Sequence, residues 1–503
     1  MTSRGTVKTR VFKDTAIYSV ANYIAQGIGV INSIILRQFM GPQAMGVWSV
    51  LQVILGYCGY ASMGTTRAMA RDYPLLRGRG DFEKAEKMKN LTLTFSMVMS
   101  IIPALLLAGY AIFKSGSLER SFLIGILFLV FFLFIQRFYD FVLTLLRTEK
   151  KFNLLSGIVV INAVVGLIVT LTFVKFWNIY GLLAGTFVTT MLLIFVIFRY
   201  DAYDFKFFWH LPSIWSELKL GVPLVGSAFL LTILSGIDKL IIAKKLGFYD
   251  AGLYSIAMMC SNYIFTLPMM FSHVVYPNLM ESFGKTGDSR QVLGYLTKPI
   301  LVFSVMVPFF CGLAIFLMPI ITQLFLPKFI PGLPAMAIYL IGIYFMLMGQ
   351  FANNYLVALD KYLITIPILG VAIAINYFLG LFLIHLGWGI SGVALSTVFA
   401  YAAYGIMTFI AALLKAMTPR ESVITILENL ALFILYFTGI LFLDRYLKLD
   451  NLYMTAGLKC FGLVLYALPF CRILEKKTGV ISTLLLTKKI HFEKNPELDD
   501  QGA

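Results

Sequence analysis

Fourteen stretches of mostly apolar residues alternate with polar intervals along the chain, at roughly 15–36, 45–66, 90–112, 121–146, 154–174, 179–198, 220–242, 251–274, 299–320, 333–357, 363–385, 389–414, 424–443 and 452–472. Each is long enough to cross a membrane as a helix, which takes about 20 residues. A membrane β-strand would be half as long and would alternate apolar with polar positions, which these runs do not. The pattern predicts an all-α polytopic membrane protein of about 14 transmembrane helices. Pro103, Pro223, Pro268, Pro308, Pro319 and Pro367 fall within the runs, where they permit kinks. The longer polar intervals are 67–89, 199–219 and 276–298, all on one side; those on the other side hold at most about a dozen residues.

The pattern repeats. Residues 30–48 (VINSIILRQFMGPQAMGVW) and 236–254 (GIDKLIIAKKLGFYDAGLY) align at an offset of 206, which sets Asn32 on Asp238, Gly41 on Gly247, Gly46 on Gly252 and Trp48 on Tyr254. Farther on, Lys151 meets Lys361 at 210, and Trp177, Gly181 and Thr186 meet Trp388, Gly392 and Thr397 at 211. Each unit holds six spans, an even number, so both units face the same way. That predicts two six-helix lobes related by a pseudo-twofold axis along the membrane normal. The expected organisation is an N-terminal lobe at 1–198, a cytoplasmic linker at 199–219, a C-terminal lobe at 220–414, two extra spans within 415–473 and a tail at 474–503. The linker carries Phe205, Phe207, Phe208, Trp209 and Trp215 among charges, which suits either a helix lying in the interface or a flexible connection. The polar tail has the composition of a disordered segment.

Charge orients this plan. Of 503 residues 59% are hydrophobic and 13% charged, about half the charge of a soluble chain. A net charge of +16 could suggest nucleic acid, but its distribution points to a membrane instead: 29 of the 41 Lys and Arg fall on the side of the N-terminus and nine on the other. That bias places both termini in the cytoplasm and implies no nucleic-acid partner. All five tryptophans lie near span ends, as in an aromatic belt. The basic N-terminus leads into the first run without a small-residue cleavage site, so a first span is expected rather than a removable signal. Cys58, Cys260, Cys311, Cys460 and Cys471 all lie in or at the ends of apolar runs and form no CxxC, which indicates neither metal nor disulfide framework.

No catalytic constellation is present, so neither enzyme activity nor a cofactor is expected. The informative residues are charges inside spans, which by default mark a pathway or a partner. Lys239 lies about 18 residues into the seventh span, roughly 27 Å along a helix. Its neighbour Asp238 cannot face it, since adjacent helical residues diverge. Its partner is expected in the opposite lobe or in a ligand. Arg137 lies in the fourth span with Asp140 three residues on, spaced for an ion pair. Arg37 closes the first span, Arg67 and Arg71 end the second, and His273 falls at offset 206 from Arg67. Snorkelling for Arg37, Arg67 and Arg71, a static pair for Arg137–Asp140, and a hydrogen-bonded span-end role for His273 are the alternatives. A cavity lined by Lys239, Arg37, Arg137, Arg67 and His273 would suit an anionic substrate such as a phosphate or pyrophosphate. Asp238, Asp140 and Asn32 are the candidates for coupling or ion pairing.

These residues carry a family resemblance. LKLGVPL at 218–224, GIDKLII at 236–242 and AGLYS at 251–255, with MGPQAMGVWS at 40–49, resemble the polysaccharide transporter family of lipid-linked oligosaccharide (O-antigen) flippases. That family lies within the multidrug/oligosaccharidyl-lipid/polysaccharide exporter superfamily, and its plan of twelve spans in two lobes plus two covers nearly the whole chain. The resemblance implies alternating access of the two lobes around a cationic cavity. It implies a polyprenyl-pyrophosphate-linked oligosaccharide as substrate, moved to the outer leaflet of the cytoplasmic membrane for surface polysaccharide or lipopolysaccharide assembly. The lipid tail would lie along a groove near spans 13 and 14. Membrane lipids, a polysaccharide polymerase and chain-length proteins are the implied partners. A peptidoglycan-precursor lipid flippase is close in class. A multidrug or cation antiporter of the superfamily would use a first-span carboxylate, where this chain has Asn32. A sugar-lipid polymerase or ligase would carry a large outer loop, which this chain lacks.

Overall fold

The computed structural model describes residues 3–201 and 203–479, with side chains from Val20 onward except at 220, 224, 267, 273 and 274. The described residues form fourteen α-helices: α1 (Ser3–Cys58), α2 (Thr65–Gly78), α3 (Phe82–Lys114), α4 (Arg120–Thr148), α5 (Phe152–Tyr200), α6 (Leu211–Leu234), α7 (Ile237–Lys245), α8 (Phe248–Thr286), α9 (Gly294–Phe325), α10 (Leu333–Ala358), α11 (Thr365–His385), α12 (Gly389–Leu413), α13 (Pro419–Tyr446) and α14 (Leu452–Thr478). Among the described residues there is no β-strand. The fourteen apolar runs are all helical, but runs and helices do not correspond one to one. α1 carries two of them and bends at Gly41 (φ 71°, ψ 177°), just before Pro42. α5 carries two and bends at Asn178 (φ 50°, ψ −126°). The seventh run does the reverse, breaking at Ser235–Gly236 into α6 and α7. Among the described residues eleven helical segments are long and apolar enough to cross a membrane, and two of these, of 43 and 49 residues, are about twice the length one crossing takes.

The chain divides into two compact units. The first comprises Met1–Ile256 with Leu324–Gly332 and Asn376–Val393. Its core joins Met69 and Tyr73 of α2, Leu93 of α3, Phe141, Leu145 and Leu146 of α4, and Ile158, Leu193 and Ile197 of α5, all buried. The interval 203–210 forms a strap that is not helical, whereas 211–219, the rest of the linker, opens α6. Within the strap Tyr203 and Phe205 pack on the core, Phe207 is exposed, and Phe208 packs against Leu91 and Phe95 of α3 and Ile214 of α6. Backbone groups that a helix would satisfy internally are taken up by α3: Lys206 N–H donates to Asn90 Oδ1 (3.2 Å), Phe208 N–H to Thr94 Oγ1 (3.2 Å), and Lys89 Nζ to the Asp204 carbonyl (3.0 Å).

A charged knot fixes the start of the strap. Glu149, in the α4–α5 turn, accepts from Tyr73 (2.9 Å), Tyr203 (2.9 Å), Arg77 (3.1 Å) and Lys151 (2.7 Å), and Lys151 also pairs with Asp201. Burial alone would raise the Glu149 carboxyl, but the bonds from Lys151, Tyr203 and Tyr73 outweigh it and hold the group below its ordinary value.

The second unit comprises Ala257–Gln323, Leu333–Ile375 and Ala394–Ala503. Tyr344 stacks on Phe433 with ring centroids 4.3 Å apart, and Tyr339 and Tyr401 share a hydrogen bond of 3.0 Å. α13 begins with a capping box in which Thr418 and Glu421 satisfy each other's backbone groups. Lys459, a charge within the last span, is paired with Asp444 at 2.6 Å and lies over Phe316. Ile440 of α13 and Leu463 of α14 close over Gly312 of α9, so the last two helices are part of this unit's core.

Candidate functional site

The two repeated joints pack against each other. A Cβ added at Gly46 would lie 1.7 Å from the Phe248 carbonyl oxygen, and one at Gly252 would lie 1.8 Å from that of Pro42. The offset of 206 sets Pro42 on Phe248 and Gly46 on Gly252, so each joint offers the other the same pair of residues. That is the self-complementary contact a twofold relation produces. From there α1 and α6 run antiparallel. Tyr57 donates to the Ile233 carbonyl (3.3 Å) and Tyr60 to the Ala228 carbonyl (3.2 Å). At the far end Gly64 meets Gly221, where a Cβ on Gly64 would lie 2.4 Å from the Gly221 oxygen.

Lys239 and Arg37 come from opposite members of the repeat and lie within electrostatic reach of each other, where their like charges repel. Arg37 is buried, and its guanidinium donates to the Ser33 carbonyl (3.0 Å), to the Ser33 hydroxyl and, across the joint, to the Ser255 carbonyl (3.1 Å). It is thus anchored at the site and does not snorkel. The Lys239 ammonium donates no hydrogen bond and forms no salt bridge among the described residues. Asp238 forms no salt bridge with it, although its charge attracts the ammonium. That carboxylate is fully buried and accepts the backbone N–H of Lys239 (2.8 Å) and the Tyr254 hydroxyl (2.9 Å). The break at Ser235–Gly236 makes this tolerable, because it places Asp238 in the first turn of α7, where unpaired N–H groups and the helix dipole favour a negative charge.

The other candidates lie elsewhere. Arg137 donates to the carbonyls of Cys58 (3.0 Å) and Gly59 (2.7 Å), capping the end of α1, and no salt bridge joins it to Asp140. Asp140 accepts instead from Gln136 (2.9 Å). Arg67 is exposed in the first turn of α2. The side chain of His273 lies outside the described residues. Asn32 lines a separate cleft between α1, α4 and α5. Sequence reasoning missed Ser33, Ser255 and Tyr254 as partners. The repeat held a signal for them, since offset 206 sets Ser33 on Lys239 and Ser255 on Ser49.

A family model described as polysaccharide biosynthesis protein matches residues 76–332, which include the strap and the second joint. No curated protein matches the chain in sequence. Among solved structures, the lipid II flippase MurJ in an inward closed conformation superposes over 92% of this chain and 99% of its own, with a TM-score of 0.64 at 15% identity. An inward-facing multidrug resistance MATE family transporter of the MOP superfamily covers 79% of this chain and 93% of its own, with a TM-score of 0.63 at 12% identity. The Vibrio cholerae MATE transporter VcmN, in mutant form, covers 86% and 100%, with a TM-score of 0.56 at 15% identity. The fold is that of these two-lobed transporters.

Proposed function

The chain belongs to the polysaccharide biosynthesis protein family, a family of membrane transporters and flippases, and we propose that it moves a polyprenyl-pyrophosphate-linked oligosaccharide across the cytoplasmic membrane by alternating access, for surface polysaccharide assembly. The observation that carries this reading is the pair Arg37 and Lys239. Arg37 and the Lys239 ammonium repel each other in a largely apolar protein, and the ammonium, though attracted by Asp238, forms no hydrogen bond or salt bridge among the described residues. Such a site is stabilised by an anion that bridges them, and a pyrophosphate offers both several oxygens and the charge to do so. Arg37 supplies a fixed, oriented guanidinium. Lys239 supplies a mobile ammonium whose backbone is held by Asp238. Arg137 is already engaged by carbonyls, so it plays no part in the proposed contact. The Lys and Arg bias supports cytoplasmic termini and, with them, substrate loading from the cytoplasmic leaflet.

The test is export in cells carrying variants at the site. Lys239→Met should abolish export at unchanged protein level, with sugar-loaded lipid accumulating on the cytoplasmic leaflet. Lys239→Arg should keep part of the activity, since charge survives while geometry changes. Normal export by Lys239→Met would refute the reading.

A further inference from the structure

A second site lies wholly within the first unit. α1, α4 and α5 enclose a half-open cleft of about 470 Å³, which runs along α5 from Leu155 to Thr170. At 1.5 Å per residue that is roughly 22 Å, most of the thickness of the hydrocarbon core. The lining mixes apolar side chains such as Ile28, Leu143 and Ile158 with Asn32, Asn162, Thr186, Thr189 and Thr190, and the exposed Arg147 lies at one end. Thr186 and Thr190 donate their hydroxyl protons to backbone carbonyls one turn back, which leaves their oxygens able to accept. The Oδ1 of Asn32 and the Oγ1 of Thr189 are buried without a hydrogen-bond partner among the described residues. Each such atom costs free energy unless something bonds it, and rotation about one side-chain bond turns either toward the cleft.

We propose that this cleft takes the sugar unit of the lipid-linked substrate, a reading that rests on the proposed function. The chemistry of the lining selects the ligand. No Asp or Glu lines the cleft, and Arg147 would repel a cation, so a metal or organic cation is poorly served. An isoprenoid tail would suit the apolar part of the lining but leave the amides and hydroxyls unbonded. They match a neutral molecule that presents many hydroxyls, each able to donate to one of these oxygens and to accept from an amide N–H. Asn32 stands five residues before Arg37 on the same helix, a rise of about 7.5 Å. A sugar in the cleft and a pyrophosphate at Arg37 can therefore belong to one molecule.

The full-length protein in lipid nanodiscs tests this with three probes: bare polyprenyl pyrophosphate, and the same lipid carrying N-acetylglucosamine or galactose. The wild type should bind at least one sugar-bearing lipid more tightly than the bare one. Asn32→Leu and Thr189→Val should each weaken the sugar-bearing lipid about fivefold, the worth of one hydrogen bond, and leave the bare lipid unchanged. Should Thr189→Val fail to fold by thermal melting, Asn162→Leu at the exposed lip replaces it with the same expectation. A wild type that does not prefer the sugar-bearing lipids, or variants that weaken all three probes alike, would overturn the cleft assignment. Failure of the pyrophosphate reading shows separately, as bare lipid whose binding is indifferent to Lys239→Met.

Discussion

The two joints of the repeat share a backbone plan and divide the chemistry between them. Both cross at glycine, Gly46 on one side and Gly252 on the other, and each glycine admits the carbonyl that precedes its partner by four residues. In the first joint α1 passes without a break from Gly27 to Gly41, and the position equivalent to Asp238 is Asn32, turned into the polar cleft. In the second joint the helix breaks at Ser235–Gly236, and the new helix start accommodates a buried carboxylate bonded to Tyr254. Arg37 faces across from Ala243 in the alignment, and Lys239 from Ser33. Each joint thus contributes one cation that the other lacks. Duplication built a symmetric scaffold, and later divergence placed two positive charges together, which strict symmetry would have doubled to four.

The largest expected effect comes from breaking the shared part. Gly46→Ala and Gly252→Ala each drive a methyl group into backbone at under 2 Å, and backbone cannot yield as a flexible side chain does. Both should abolish stable, monodisperse protein in detergent, and to a similar degree because the contacts are equivalent. A normal melting temperature for either, or a large effect in one alone, would show that the joints are not equivalent in solution.

The next effect sharpens the part that differs. Asp238→Ala removes the buried carboxylate that accepts from the Tyr254 hydroxyl and the Lys239 N–H, at a cost of about 3–5 kcal/mol by analogy with broken buried charge pairs. Asp238→Asn installs the residue found at Asn32 and keeps an acceptor, so it should cost only about 1–2 kcal/mol. Thermal unfolding of the two variants in parallel measures the difference. Equal losses would mean that the negative charge, rather than the hydrogen bonds, holds the second joint.

The sequence made the spans and the repeat readable, because each rests on composition or on fixed spacing. It misled where a tertiary partner displaced a local one. Arg137 and Asp140 are spaced for a helical pair, but α1 ends beside Arg137 with carbonyls that need donors, and those took the guanidinium. The aromatic residues of 203–208 suggested an interfacial helix, but α3 presented Asn90 and Thr94 to a backbone that is not helical. The cleft was invisible, since an Asn or Thr within a span carries no sign of whether its oxygen is bonded. Tyr254 was aligned with Trp48 and still not recognised, because a hydroxyl that reaches a carboxylate 16 residues away depends on the turn between them.

The smallest effect lies at the far end of the α1–α6 pair, where Gly64 meets Gly221. The repeat equivalents of these glycines are Met270 and Thr15, so the sequence reserves this close approach for one of the two symmetric pairs. One turn before Gly221, on the same face of α6, Glu217 is 6% exposed and accepts a hydrogen bond from the Thr92 hydroxyl at 3.2 Å. Burial raises its carboxyl to about 7 against the pull of Thr92, with Asp72 of α2 adding to the rise. The nearby Lys89 offers no relief, being engaged by Glu86 and the Asp204 carbonyl. A carboxyl raised on folding binds its proton more tightly in the folded state. Its penalty is therefore absent below the ordinary carboxyl value, grows as pH rises toward 7, and is complete above it. Between pH 6 and pH 8 the folded protein should lose about 1.4 kcal/mol from this group alone. Glu217→Gln carries no charge to bury, so its melting temperature should be the flatter of the two over that range and should exceed that of the wild type at pH 8. Parallel pH profiles would mean that Glu217 keeps its charge in the folded state, and that the glycine contact alone distinguishes this end of the pair from its counterpart.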